Sequence, residues 1–104
     1  MSKWHYRVTE DAEQDLLRIE EYVSTYADAD FVDKLDDMFL AAFDALCDNP
    51  FVHPEYQFSP PTRTLRAYRS VNVYRYKVFY WVDGNVVEIY RILHLVSDFT
   101  RRYF

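Results

Sequence analysis

The sequence predicts an α+β domain of order β-α-α-β-β-β, an antiparallel α-hairpin packed on a small antiparallel sheet, with a short C-terminal segment. Three observations predict it. Two consecutive stretches carry apolar residues at steps of three and four, with a short break between them. The last third alternates aromatic or β-branched residues with polar ones. The chain's single glycine falls in Asp83-Gly84, between two such stretches. A tight hairpin turn needs a residue there that tolerates positive φ. A length of 104 residues fits one domain, 1–104.

Trp4 to Val8 alternates large apolar and polar residues and reads as a short strand. Thr9 suits a helix N-cap, with Glu10, Asp11 and Glu13 favourable to the positive end of the helix dipole. Ala12, Leu16, Ile19, Val23 and Tyr26 form the apolar stripe of a first helix over 10–27. Asp28 or Asp30 caps a second helix with the stripe Phe31, Leu35, Met38, Ala42 and Leu46. Phe39 and Phe43 widen that arc, and Asn49-Pro50 stops it. Phe51 to Thr62 holds three of the four prolines and no period, and reads as an ordered surface loop. Strands are expected at Thr64–Arg69, Val73–Val82 and Val86–Leu95, the first strand returning to the sheet as an edge or beside a later strand. In the long strand Tyr76, Val78, Tyr80 and Val82 share one face. Arg75, Lys77, Phe79 and Trp81 share the other. Ser97-Asp98 caps a last segment, Phe99 to Phe104.

Half of the residues are apolar and 19% are aromatic, enough to build a core. Cys47 stands alone in a helical pattern and reads as a buried, reduced thiol. No apolar run approaches the ~20 residues of a membrane span. MSKWHYRV lacks the basic-then-apolar order of a signal peptide. A cytoplasmic location is expected. His5 and His53 read as surface residues. No cysteine or paired-acid spacing supports the three histidines, so no metal site and no cofactor are expected.

Charge divides the chain. Residues 63–104 hold eight of the twelve bases and three of the seventeen acids, so the overall charge of −5 conceals a basic last third. Net acidity argues against a general nucleic-acid binder, and the asymmetry suggests one face that meets an acidic partner.

Several pieces then resemble a known family. Val8-Thr9-Glu10-Asp11-Ala12 with Asp15-Leu16, Ile19 and Tyr22 resembles the opening V-T-x-x-A-x-x-D-L-x-x-I-x-x-Y of the RelE/ParE superfamily of bacterial toxin–antitoxin toxins. Leu46 and Pro50, Leu65-Arg66, Tyr76 to Val82, Val87-Glu88-Ile89, Ile92-Leu93-His94 and Ser97-Asp98 continue it in order. The resemblance spans nearly the whole chain. The D-L and Tyr opening with the late His favours the ParE branch. Lys77 stands where the family usually has Arg, and lacks Arg's planar fork. Ser97 stands where an R-D pair has Arg.

Cleavage of RNA through its 2′-hydroxyl needs a base, an acid and cations for the developing charge. The candidates are Arg66, Lys77, His94 and Tyr103, with Arg69, Arg101 and Arg102 beside them. His94, between Leu93 and Leu95, reads first as a buried, hydrogen-bonded structural residue. The ten tyrosines read first as core and sheet residues. Arg101 to Phe104 reads first as a solvated tail, with Tyr103 or Phe104 packing on the sheet or a partner. A partner surface is expected from Arg66, Arg69, Arg75, Lys77, Phe79, Trp81, Arg101 and Arg102. It would receive an acidic segment by strand addition or as a helix in a groove.

The resemblance implies a ParE-like toxin that arrests growth by binding DNA gyrase, serves plasmid stabilisation and is neutralised by a cognate antitoxin. This would be a binding function without catalytic residues, in a homodimer or a toxin–antitoxin hetero-oligomer. The alternatives are a RelE-like ribosome-dependent mRNA endoribonuclease, and a relative that binds antitoxin without toxicity.

Overall fold

A computed structural model of the chain describes residues 3–58, 64 and 66–96. In order run β1 (His5–Val8), α1 (Glu10–Val23), α2 (Ala29–Asp48), β2 (Arg69–Val73), β3 (Tyr76–Asp83) and β4 (Val86–His94). This is the expected element order. The predicted segment at Phe99–Phe104 lies outside the described residues.

The four strands form one sheet in the order β1-β4-β3-β2. β2, β3 and β4 pair antiparallel, whereas β1 pairs parallel to β4, with His5 opposite Val86 and Val8 opposite Ile89. The sheet is therefore mixed rather than wholly antiparallel. No tight turn links β1 to β4, and a helical crossover of this length permits parallel pairing.

Thr9 begins α1 as expected. Its hydroxyl oxygen accepts from Ala12 N–H at 3.2 Å, and its O–H donates to Tyr90 O at 2.9 Å. Asp28 caps α2 by accepting from Phe31 N–H at 2.9 Å. α1 stops at Val23, short of the predicted 27. There the Ser24 and Thr25 hydroxyls donate to Glu21 O and Tyr22 O, offering the backbone a local alternative to the helix. Tyr26 is consequently exposed rather than part of the apolar stripe.

Both helices pack on one face of the sheet. Ala12, Ile19 and Val23 of α1 and Leu35, Phe39, Phe43 and Leu46 of α2 bury against Tyr76, Val78, Tyr80, Val87, Ile89 and Ile92. The centre of the α2 stripe is thus Leu35-Phe39-Phe43-Leu46, and Met38 is left 42% exposed. Cys47 is buried and free; burial, together with Asp44 and Asp48, pushes its thiol up from the ordinary value.

One predicted strand is displaced and another is interrupted: the strand expected at Thr64–Arg69 shares only Arg69 with β2 (Arg69–Val73). β2 begins at Arg69, not Thr64, and the stretch predicted as one strand from Val73 is broken by a turn at Tyr74-Arg75. Tyr74 takes φ +55°, a conformation usually left to glycine or asparagine. The other hairpin turns at Gly84 with φ +61°, where an added Cβ would meet nothing within 4 Å. Gly84→Ala is therefore expected to cost only the left-handed strain, about 1–2 kcal/mol, measurable as a lower urea midpoint with unchanged slope.

Candidate partner-binding surface

The β2–β3 hairpin carries Arg69, Arg75 and Lys77, and β2 leaves one edge of the sheet. Among the described residues only Glu55 bridges to that edge, at Arg69, so Ser70 to Val73 have no strand beyond them. Arg69 sits opposite Tyr80 and donates from Nη1 to His53 O at 2.6 Å, its guanidinium lying over the Phe51 ring. Arg75, in the turn between β2 and β3, is exposed and lies against the Tyr74 ring. Lys77 donates to Asn72 Oδ1 at 2.8 Å, with its ammonium 5.4 Å from the centre of the Tyr56 ring. Burial lowers its pKa from the ordinary lysine value, because a partly desolvated ammonium is disfavoured.

The sheet face away from the helices is not the open aromatic–basic surface that the alternation suggested. Phe79 is 0% exposed and cannot contact a partner. The reason is the segment after α2, which folds back across the sheet: Tyr56 stands edge-on to Phe79 at 5.0 Å between centroids, and Phe58 edge-on to Tyr56 at 4.9 Å. Tyr56 N–H donates to Tyr68 O at 2.7 Å and fixes this cover. Trp81 is half-buried between Tyr68 and Tyr90. The exposed Arg66 places its guanidinium 4.3 Å from the centre of the Trp81 ring. Trp81 therefore supports Arg66 from below, and Arg66 is the group that meets solvent. Tyr56 had no signal in the sequence, since it sits in the aperiodic proline-rich loop.

Two of the nuclease candidates, Lys77 and His94, lie on opposite faces of the sheet. Lys77 is opposite Leu93, and Tyr76 is opposite His94. Lys77 thus projects to the side covered by Tyr56, while His94 projects to the helix side, edge-on to Tyr76 at 5.5 Å. His94 is half-buried rather than buried, and its Nδ1 accepts from Val96 N–H at 3.3 Å. Arg101, Arg102 and Tyr103 lie outside the described residues. Among the described residues no group of three or more His, Cys, Asp or Glu side chains is placed to hold a metal ion. Nor is any described helix long and apolar enough to cross a membrane.

The comparisons with known proteins bear on this geometry. The family model described as "ParE toxin of type II toxin-antitoxin system, parDE" matches residues 6–99. The chain belongs to the ParE toxin family. No curated protein sequence matches it. Among solved structures, this ParE-family chain resembles a chain of a chromosomal ParDE TA system from P. aeruginosa, with a TM-score of 0.71 at 15% identity. The match covers 88% of this chain and 96% of that one, so the shared fold includes the helix pair and the sheet.

The family opening includes a site that sequence reading treated only as part of a motif. Asp15 is 5% exposed. Its Oδ2 accepts from Ile92 N–H at 2.9 Å and from Arg91 Nε at 2.8 Å, and its Oδ1 accepts from Arg91 Nη2 at 2.8 Å. The pairing of β3 with β4 shifts between Phe79 and Tyr80, leaving Tyr90 extra on β4. β1 has ended here, and Thr9 and Asp15 of the first helix take over β4's backbone groups at Ile89, Tyr90 and Ile92. The Asp15 carboxylate thus ties α1 to the irregular point of the central strand. It fixes the frame that positions the basic hairpins.

Proposed function

We propose that this ParE-family chain is the toxin of a toxin–antitoxin pair and acts in the cytoplasm by binding a target protein, with DNA gyrase the target that the family resemblance implies. A cognate antitoxin neutralises it, with an acidic segment added along β2 and met by Arg66, Arg69, Arg75 and Lys77. The observation that carries the toxin reading is the family match over residues 6–99. The resemblance to a chain of a ParDE system supports the fold that such a toxin requires. The unpaired edge of β2 supports strand addition, since an exposed edge offers backbone donors and acceptors in register. Placement of Lys77 and His94 on opposite faces weighs against the ribonuclease alternative, which needs them around one phosphate.

Expression of the chain alone in a bacterium is expected to arrest growth, and co-expression with its neighbouring gene to restore it. Purified chain is expected to inhibit supercoiling by gyrase. Unimpaired growth with no binding of the neighbour's product would sink the reading. Codon-phased cuts in translated mRNA would transfer it to the nuclease class, and tight antitoxin binding without arrest to a non-toxic relative. For the surface, Arg66→Glu with Arg75→Glu is expected to slow antitoxin association about tenfold, most strongly at low salt. An unchanged association rate would place the antitoxin elsewhere.

A further inference from the structure

The opposite layer of the molecule carries the opposite charge. α1 and α2 together hold twelve carboxylates and two bases, Arg18 and Lys34. Arg18 is 3.5 Å from Asp15, which Arg91 already pairs. Between the two helices runs a groove of about 240 Å³, lined by Leu16, Phe39, Leu40 and Phe43, with Glu20 and Asp36 at its rim. Leu40 is 50% exposed, and Leu17 and Met38 on the same layer are 57% and 42% exposed. The groove is smaller than the ~300–1,000 Å³ of a small-molecule pocket, and it is open. Its size suits apolar anchor side chains from a docked segment.

Its rim is electrostatically incomplete. Glu20 on α1 feels Asp36 and Asp33 on α2 across the groove, and Asp36 feels Asp33 and Asp37. Among the described residues none of these four carboxylates is in an ion pair. Partial burial and mutual repulsion both raise the pKa values of Glu20 and Asp36. Bringing a cation to this rim relieves repulsion that the fold itself leaves standing, while half-exposed Leu40 gains cover.

We infer that the α1–α2 groove is a docking site for a cationic amphipathic helix of a partner protein, with leucine-like anchors on Leu16 and Leu40 and Lys or Arg side chains on Glu20, Asp33 and Asp36. Charge complementarity selects this occupant. A second copy packed helix layer to helix layer would bring its own acidic helices to the groove, and an acidic segment of the kind suited to the β2 edge would be repelled. The site is separate from that edge and does not depend on what the chain's target is.

The test uses the full chain and a synthetic helical peptide with Leu at i, i+4 and i+7 and Lys or Arg on the flanking positions, followed by fluorescence anisotropy. A second peptide has the same composition but a scrambled order, and a third carries Glu for Lys and Arg. The first is expected to bind at least tenfold tighter than either of the others. Leu40→Arg is expected to weaken it at least tenfold, as is Glu20→Lys with Asp36→Lys. Leu40 is half exposed, so this variant is expected to keep the wild-type melting temperature, which separates loss of docking from loss of fold. Equal binding of the scrambled peptide would mean charge adhesion alone and would overturn the inference. So would binding that Leu40→Arg leaves unchanged.

Discussion

Asp15→Ala is expected to destabilise the fold by about 3–5 kcal/mol. A carboxylate that is 5% exposed, with both oxygens engaged by Arg91 and one also by Ile92 N–H, is a buried ion pair with satisfied geometry. Removing Asp15 takes away the carboxylate to which Arg91 donates from both Nε and Nη2, which is where the cost arises. Ile92 N–H also loses its acceptor at a point where β1 no longer runs beside β4. Since small domains are stable by only about 5–15 kcal/mol, a loss of this size removes a large share of the total. Urea denaturation of Asp15→Ala, Arg91→Ala and the double variant gives the coupling directly. A positive coupling of at least ~2 kcal/mol is expected, because the double variant loses both halves of the pair together. Asp15→Asn is expected to fall between, since an amide oxygen still accepts from Ile92 N–H but carries no charge. A loss below ~1 kcal/mol for Asp15→Ala would show that the pair is not what fixes α1 to β4.

This interaction also marks where sequence reading stopped. Element order was legible because each signal is local: the helical stripes, the Thr9 and Asp28 caps and Gly84 lie within a turn or two of what they determine. The turn at Tyr74 was not legible, because neither Tyr74 nor Arg75 is a residue that favours φ above zero. Its stabilisation comes from elsewhere, with the Tyr74 ring against Phe31 at 5.4 Å. The extra residue at Tyr90 left no trace either, since a bulge is defined by its partner strand. Asp15 and Arg91 are 76 positions apart, so their pairing has no spacing to read. The basic surface was legible as charge, yet the aromatic cover at Tyr56 was not. Alternation shows which residues share a face of the sheet, and nothing about whether a loop returns to cover it. Phe79 was misread for that reason.

Tyr80→Asp is expected to leave the chain unfolded at neutral pH. The ring is 0% exposed in the middle of β3, and its hydroxyl donates to Pro50 O at 2.6 Å. Loss of a buried aromatic side chain costs about 3–5 kcal/mol. An unpaired carboxylate in its place adds several more, which together reach the whole stability of a small domain. Tyr80→Phe isolates the hydroxyl and is expected to cost about 1–3 kcal/mol, chiefly by leaving Pro50 O without its donor. The phenol adds a pH signature. Burial pushes its pKa from 10.0 up to about 12, with Arg69 acting weakly in the other direction. The folded state therefore holds the proton more tightly than the unfolded chain. That contribution is fully present below pH 10 and is lost as pH rises from 10 through 12, amounting to about 3 kcal/mol for a shift of this size. Other tyrosines also titrate in this range, so the informative quantity is the difference between wild type and Tyr80→Phe, which is expected to shrink as pH rises through that window. A pH-independent difference would mean that the Tyr80 phenol is solvated. A Tyr80→Asp variant that melts cooperatively at the wild-type temperature would mean that β3 presents its other face to the helices.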